Sequence, residues 1–381
     1  MSTKPAVGPL EIRSRAPTRI DLAGGTIDLW PLYLFIDQPL TINLAIDLYA
    51  DAALMQTQGK GRVTLRSEDQ SIEGTWAWKD LLGAPASVGA SPLRPALGNS
   101  RTVLAIHPAL ELHFKLLRHY AMQQPQAQLE GMDLRIGTRA RSPAGAGLGG
   151  SSALGVALVG VLGSWARAGA PLDPAVEGER MVEVVRDIET TVIQVPAGVQ
   201  DYYGAMFGGL QALRWRPSVH QRASFPLEIL RELESRITLF YSGQSRNSGI
   251  NNWAVYKSFI DRDTDIRSRF VEINLATHRL EAALTARDWA GVGQAIADEW
   301  TARRKLAPGI TTGEINKAYE EASKIARVSG KVCGAGGGGC FFVYSPDGND
   351  PKITEAVAAT GVQPLPFKAV PAGLEVKVAR V

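Results

Sequence analysis

The sequence is poor in cysteine and in long apolar runs. Its 381 residues include two cysteines, Cys333 and Cys340, which cannot build a disulfide framework and predict reduced thiols in a cytoplasmic protein. The longest apolar stretch, residues 153–165, is too short to span a bilayer. Residues 1–10 have no apolar core of the kind that a signal peptide needs, so we expect no membrane partner.

The chain also lacks blocks of like charge. Its 41 basic and 38 acidic residues are well mixed and leave a net charge of +3, so no basic stripe predicts a nucleic-acid partner. His107, His113 and His119 are six residues apart, a spacing that does not align them on one helix face as metal ligands. With 45% hydrophobic and 21% charged residues, the composition predicts a globular protein of roughly two domains.

Glycine, by contrast, is abundant and unevenly placed. The chain has 39 glycines, and 12 of them fall in the segments 24–25, 145–150 and 330–339. Clusters without a repeat exclude a collagen or a flexible-linker explanation. They indicate places where another group must approach the backbone closely.

Hydrophobic periodicity gives a mixed order of strands and helices, which favours two α+β domains over a repeated βα alternation. We expect a strand over 11–22, an apolar helix from about 151 to 165, and one long helical region over 250–286. The predicted domains are residues 1–208 and 209–381.

The middle glycine segment, PAGAGLGGSSA at 143–153, runs from a loop into the apolar helix. Such a helix start exposes backbone N–H groups and is a ready anion site, where Ser151 and Ser152 could cap the helix, bind phosphate or hold Mg²⁺. A dinucleotide fingerprint needs a strand ending directly in the loop, yet residues 138–143 intervene. A Walker loop is excluded because no lysine precedes Ser151. Close packing alone stays an alternative.

Two further segments admit equally plain explanations when taken alone. KVCGAGGGGC at 331–340 would suit a tight turn between packed elements. RAPTRIDLAGGTID at 15–28 places Arg19 and Asp28 on either side of a glycine turn, as solvated strand ends also would.

Taken together and in this order, the three segments resemble the GHMP kinase superfamily. The family's middle motif P-x3-G-L-G-S-S-A occurs here with one extra glycine, and GAGGGGC at 334–340 is unchanged. The first segment and the stretches 187–210 and 239–249 resemble the sugar-kinase branch, which includes heptose 7-phosphate kinases, fucokinases and galactokinases. Thr26 and Ile27 depart from the heptose kinases, which have Gly and Thr there.

The resemblance implies a fold, cofactors and site residues. The fold is α+β, with an N-terminal ribosomal-protein-S5-like domain and a C-terminal ferredoxin-like domain, and the cofactors are ATP and Mg²⁺. Asp201, on a loop after the helix that carries Glu189, would face the acceptor hydroxyl beside Arg19, while Ser152 and Glu189 would hold Mg²⁺. The nucleotide would be bound by Pro143, Gly145, Gly147, Leu148, Gly149, Gly150, Ser151, Ser152, Ala153, Gly336 and Gly337. The substrate would be bound by Asp28, Thr26, Gly25, Tyr203 and Arg246.

The implied function is an ATP-dependent kinase that phosphorylates the anomeric hydroxyl of a sugar or sugar phosphate. The partner would be this small-molecule sugar, and the chain would be a monomer or a homodimer. Two alternatives remain at this point: a mevalonate-type kinase acting on a non-sugar alcohol, and a regulator that binds sugar and ATP without turnover.

Overall fold

The computed structural model describes residues 8–83, 86–88, 104–244 and 248–380. Its strands are β1 (Leu10–Ala23), β2 (Leu40–Gln58), β3 (Arg62–Ser67), β4 (Ile72–Ala77), β5 (Ala86–Val88), β6 (Leu104–Ile106), β7 (Met132–Ala140), β8 (Leu210–Arg214), β9 (Gln221–Ser224), β10 (Ile237–Tyr241), β11 (Ser329–Val332), β12 (Cys340–Tyr344), β13 (Gln363–Pro364) and β14 (Glu375–Arg380). The predicted strand over 11–22 is present as β1.

The α-helices are α1 (Trp78–Gly83), α2 (Glu111–Ala121), α3 (Gln126–Glu130), α4 (Gly150–Ala166), α5 (Pro174–Ile193), α6 (Gln200–Phe207), α7 (Leu227–Glu234), α8 (Ser248–Ile260), α9 (Thr264–Ala286), α10 (Trp289–Arg303), α11 (Gly313–Ser323) and α12 (Pro351–Ala358). Two short 3₁₀ helices lie at Leu32–Phe35 and Pro108–Leu110. The single helical region predicted over 250–286 is wrong, because Arg262 has φ 67° and Asp263 caps a new helix there. Among the described residues, no helix is long and apolar enough to cross a membrane.

The large sheet has the strand order β14-β1-β2-β7-β3-β4, with β8 pairing to β2 and β9 to β8. A smaller sheet has the order β11-β12-β10-β13, and β5 pairs with β6. The last strand, β14, lies antiparallel to β1, from Leu10 opposite Arg380 to Arg15 opposite Glu375. A division at residue 208 therefore does not separate the sheets, since β8, β9 and β14 belong to the large one.

Strand β1 is packed on both faces, which explains why its second half does not alternate. Every residue from Ala16 to Ala23 is buried. Helix α4, apolar on almost all sides, packs on β1 and β2. The side chains of Ile20 and Leu22 belong instead to a second apolar cluster, shared with Leu280 and Phe342 of the C-terminal half. Charged residues of β1 are thus forced into the interface between the two halves of the molecule.

Candidate active site

A cavity of about 900 Å³ lies where the three glycine-rich segments meet. Its wall comprises the loop before α4, the turn after β1, the ends of α5 and α6, and two residues that follow β11. Predicted site residues on this wall are Arg19, Thr26, Asp28, Pro143, Gly145, Gly147, Leu148, Gly149, Gly150, Ser151, Ser152, Glu189 and Asp201. The structure therefore brings residues that are almost two hundred positions apart into one site.

The start of α4 forms one side of the cavity. Gly149 has φ 73° and precedes the first residue of the helix, and no side chain caps this end. A Cβ at Gly149 would lie 3.1 Å from the side chain of Asp201, so a larger residue would crowd that carboxylate as well as strain the backbone. The first N–H groups of a helix have no intrahelical acceptor, so this end offers donors and a positive dipole to an anion in the cavity.

Arg19 and Asp201 face each other beside this helix start. Arg19 Nε donates to Asp201 Oδ1 at 2.7 Å, and Arg19 Nη1 donates to the Gly147 carbonyl at 2.7 Å. Burial works against the charge of Arg19, but the carboxylates of Asp201 and Asp21 raise its pKa above the ordinary value. The arginine is therefore a fixed cation that orients both the carboxylate and the loop. The loop position predicted for Asp201 is corrected, because Asp201 lies in the first turn of α6.

Asp28 lines the same cavity close to the start of α6. Its side chain is buried, and its Oδ2 accepts a hydrogen bond from the backbone N–H of Gln200 at 3.0 Å. Burial is the main reason that its pKa rises from 3.8 to about 6, and the neighbouring carboxylates Asp201 and Asp21 raise it further. The hydrogen bond from the Gln200 N–H lowers the pKa of Asp28.

Glu189 lies at the base of the cavity on α5. Burial raises the pKa of its carboxyl, while the hydroxyls of Ser151, Tyr202 and Ser152 act in the opposite direction. These hydroxyls lie close to the carboxylate, but neither Glu189 Oε2 nor the Tyr202 hydroxyl, both buried, makes a hydrogen bond of good geometry. Such an unsatisfied oxygen beside a buried serine hydroxyl suits a hard cation, and Mg²⁺ is commonly held by one or two carboxylates plus substrate phosphates. No cluster of three or more His, Cys, Asp or Glu side chains suited to a metal is found in the described part of the chain.

A cluster of buried charged residues lies beside the cavity and was not predicted from the sequence. We call it the ion network; it consists of Asp21, Glu299, Arg303 and Lys331, none more than 2% exposed. Lys331 Nζ donates to Asp21 Oδ2 at 2.8 Å and lies 3.4 Å from Glu299 Oε1. Arg303 Nε donates to Glu299 Oε1 at 2.8 Å. The only signal in the sequence was a charged residue among apolar neighbours, as in RIDLA and GKVC.

The ion network holds the turn after β1. Arg303 Nη2 donates to the carbonyl of Gly25 at 2.8 Å, so Gly25 contributes its backbone to the network and is absent from the cavity wall. Although burial alone would raise the pKa of Asp21, the cations Lys331, Arg303 and Arg19 lower it below 3.8. The network thereby fixes an ionised carboxylate at the cavity floor.

The late glycine segment supports the phosphate loop from behind. The backbone N–H of Cys340 donates to the carbonyl of Ala146 at 2.7 Å. The predicted nucleotide contacts at Gly336 and Gly337 are corrected, because these residues pack against Ile310, whose carbonyl accepts from Gly337 at 2.8 Å. Gly334 and Ala335 form this part of the cavity wall instead.

Two other predicted residues also lie away from the cavity wall. The substrate contact predicted for Tyr203 is corrected: its buried hydroxyl donates to Glu179, and its ring packs on Trp215, while Tyr202 lines the cavity. Ala153 is buried inside α4. Arg246 lies outside the described residues.

Two family models match the chain. The GHMP kinases N terminal domain matches residues 111–209, and the GHMP kinases C terminal domain matches residues 280–363. Together with the ordered motifs and the cavity that they form, these matches place the chain in the GHMP kinase superfamily. It is a phosphotransferase with an alcohol group as acceptor.

Individual relatives are distant but match most of the chain. The D-glycero-alpha-D-manno-heptose 7-phosphate kinase of Campylobacter jejuni is 23% identical over 337 residues, which are 87% of this chain and 89% of the relative. The structure of a D-glycero-D-manno-heptose 1-phosphate kinase from Bacteroides thetaiotaomicron has a TM-score of 0.68 at 20% identity, with coverage of 96% and 98%.

The fold is shared equally with enzymes that act on other alcohols. The mevalonate kinase of Methanococcus jannaschii also has a TM-score of 0.68, at 14% identity, with coverage of 97% of this chain and 100% of that chain. The two-domain GHMP fold is thus established, but an equal score for two kinds of kinase means that the acceptor must be argued from the site.

Proposed function

We propose that this protein transfers the γ-phosphate of ATP to a hydroxyl group of a sugar or a sugar phosphate. The observation that carries the proposal is the placement of the Arg19–Asp201 pair against the uncapped start of α4. Phosphoryl transfer depends on positioning and charge stabilisation, and this arrangement supplies both beside a carboxylate that faces the acceptor.

Each group has a role in this scheme. The N–H groups at the start of α4 bind the β- and γ-phosphates of the nucleotide. Asp201 orients the acceptor hydroxyl and receives its proton, and Arg19 keeps Asp201 ionised and steadies the charge on the transferred group. Because Arg19 also binds the Gly147 carbonyl, it sets the distance between the carboxylate and the phosphate loop.

The nucleoside would lie at the far end of the cavity from Asp28. We assign it to the part of the wall formed by Ser67, Asp69, Gln70 and His107, which line the same cavity. Asp69 Oδ1 accepts from the backbone N–H of Ala140 at 3.2 Å, which places it next to the loop that leads to α4. With the phosphates at α4 and the acceptor at Asp28, this polar wall is the remaining space for the base and ribose.

Glu189 and Ser152 would hold Mg²⁺, since they place a buried carboxylate oxygen without a partner next to a buried hydroxyl. When bound, Mg²⁺ would neutralise charge on the nucleotide phosphates. The Glu189→Gln variant keeps the shape of the side chain and removes its charge. We expect it to need at least tenfold more Mg²⁺ for half-maximal nucleotide binding, measured by calorimetry across a magnesium titration. An unchanged magnesium requirement would remove Glu189 from this role.

The acceptor is proposed to be a sugar, phosphorylated at its anomeric hydroxyl. The buried carboxyl of Asp28 is suited to hydrogen bonds with sugar hydroxyls, and the heptose 7-phosphate kinase relative covers nearly the whole chain. A mevalonate-type acceptor would bring its own carboxylate close to Asp28, Asp21 and Asp201, which is unfavourable.

The test is ADP release with a panel of hexoses, heptoses, heptose 7-phosphate and mevalonate, in the presence of MgATP. We expect turnover with at least one sugar and none with mevalonate. Turnover with mevalonate alone would replace the sugar proposal. Tight binding of sugar and ATP by calorimetry without any product would instead assign the chain to the non-catalytic regulators.

Two further expectations belong to the same proposal. The protein would work in the cytoplasm, in keeping with two cysteines that are both buried. It would act as a monomer or a homodimer, which sedimentation at several concentrations would decide.

A further inference from the structure

The acceptor end of the cavity contains two buried oxygen atoms that no protein group satisfies. Asp21 is fully buried and Gln200 is 4% exposed, and both residues border the cavity. Asp21 Oδ1 and Gln200 Oε1 have no hydrogen-bond partner. An unsatisfied buried acceptor costs free energy, so a native structure that keeps two of them in a ligand cavity indicates that a ligand satisfies them.

These two side chains lie together with Asp28 in one corner. A Cβ built on Gly25 would fall 2.2 Å from Asp21 Oδ2 and 3.0 Å from Gln200 Nε2, so both side chains reach the same point beside the turn. The backbone N–H of Gln200 donates to Asp28 Oδ2, which ties the third member to the corner. Gly25 is therefore the residue whose missing side chain lets the corner form.

The charges around this corner determine which ligand groups it can bind. The nearby cations are already engaged: Lys331 with Asp21 and Glu299, Arg303 with Glu299 and the Gly25 carbonyl. In the described part of the corner, the groups left for a ligand are the carboxylates of Asp21 and Asp28 and the side-chain amide of Gln200, with no further cation among them. A ligand must then bring hydrogen-bond donors, and a carboxylate or phosphate placed here would meet the charge of Asp21 without a free cation.

We propose that Asp21 and Gln200 are specificity-determining residues that accept hydrogen bonds from two hydroxyl groups of a neutral polyol part of the acceptor. This inference rests on the proposed kinase function and narrows it: any phosphate that the acceptor already carries points away from this corner. The ion network is what keeps Asp21 ionised and in place for the contact.

The experiment pairs enzyme variants with deoxy analogues of the best sugar from the panel. Gln200→Leu removes the amide and Gln200→Asn keeps a shorter one, while Asp21→Leu with Lys331→Met removes the buried pair and the Asp21 acceptor together. For wild type, loss of the contacted hydroxyl should lower kcat/KM about 10- to 100-fold. With the full sugar, Gln200→Leu should have a kcat/KM that is lower than wild type by the same factor. With the deoxy analogue that lacks the contacted hydroxyl, its kcat/KM should fall little further, as a double-mutant cycle requires.

The readouts separate a substrate contact from a general structural effect. The loss should be confined to the KM or Kd of the sugar, with the KM of ATP unchanged within about twofold, and Gln200→Asn should recover part of it. Asp298→Asn, which changes a carboxylate on the surface of α10, is the matched control and should alter none of these constants. Calorimetric titration with the sugar alone is run on every variant beside the kinetics.

Each outcome decides the inference. If wild type turns over a sugar but every deoxy analogue loses equally in wild type and in the Gln200 and Asp21 variants, the inference is overturned while the kinase function stands. If sugars bind with the expected pairing but are not phosphorylated, the kinase function fails and the corner assignment stands. If no sugar binds at all, both are overturned.

Discussion

Two residues of β1, two positions apart, form ion pairs in different surroundings: one pair borders the cavity and the other is fully buried. Arg19 of β1 pairs with Asp201, whose side chain is 24% exposed in the cavity. Asp21 of β1 pairs with Lys331, and both are 0% exposed within the ion network. The first pair links two elements of the N-terminal half, whereas the second joins β1 to β11 and α10 of the C-terminal half.

The difference shows that one strand can carry a residue for the reaction and a residue that joins the two halves of the molecule. A carboxylate with access to the cavity can change its bonding during a reaction, because a ligand can replace solvent around it. A pair without solvent on either side is costly to form and costly to break, so it contributes less to net stability than to a unique arrangement of the two halves. We infer that the buried Asp21–Lys331 pair fixes the position of β1, and that this strand in turn holds Arg19 beside Asp201 in the cavity.

The largest effect is expected when the exposed pair is broken. Asp201→Asn keeps the hydrogen bond from Arg19 but removes the proton acceptor, so kcat should fall roughly 10²–10⁴-fold, measured by ADP release with the best sugar. Its free energy of unfolding should change less than that of a Lys331 variant. A fall in kcat below tenfold would leave Asp201 with an orienting role only.

Breaking the buried pair should affect folding first. Lys331→Met leaves Asp21 and Glu299 with one cation between them, so unfolding by urea should show a loss of about 3–5 kcal/mol. Lys324→Met, which breaks an exposed pair with Glu321, is the control and should cost at most about 1 kcal/mol. Equal losses for the two lysines would remove the contrast drawn between buried and exposed pairs.

The smallest effect is expected for the pH dependence of stability, through the carboxyl of Asp28, which lies near both Asp201 and Asp21. Its pKa is raised from 3.8 to about 6, so the folded protein prefers the neutral carboxyl. The stabilisation from this preference is complete below about pH 4 and is lost as the pH rises through 6, a change of up to about 3 kcal/mol. Asp28→Asn, which stays neutral, should therefore gain stability relative to wild type between pH 5 and pH 8.

Paired urea titrations of wild type and Asp28→Asn at these two pH values measure this difference. A constant gap between the two proteins across the range would contradict the raised pKa.

Much of the site could be predicted because three ordered motifs resemble those of GHMP kinases, and the resemblance assigns roles to individual residues. Arg19, Asp28, Glu189 and Asp201 all reach the one cavity. The ion network was not predictable, because pairing between Asp21 and a lysine 310 positions later depends on how the two halves pack. Gly336 and Gly337 were misplaced for a related reason: four successive glycines do not show which of them faces the cavity.

Two features of the fold also could not be predicted from the sequence: the break between α8 and α9, and the pairing of β14 with β1. Apolar periodicity runs through residues 250–286 without marking the break, which depends on one residue, Arg262, in a left-handed conformation. The membership of β14 in the large sheet is a long-range pairing that local sequence does not encode.

That pairing has a consequence for how the protein is made. A ribosome releases β1 early, but β14, which covers one edge of β1 from Leu10 to Arg15, is released only after more than 350 further residues. During that interval the strand that carries Arg19 and Asp21 has an open edge, where another nascent chain can pair. The exposure of this edge to other chains should thus last for most of translation.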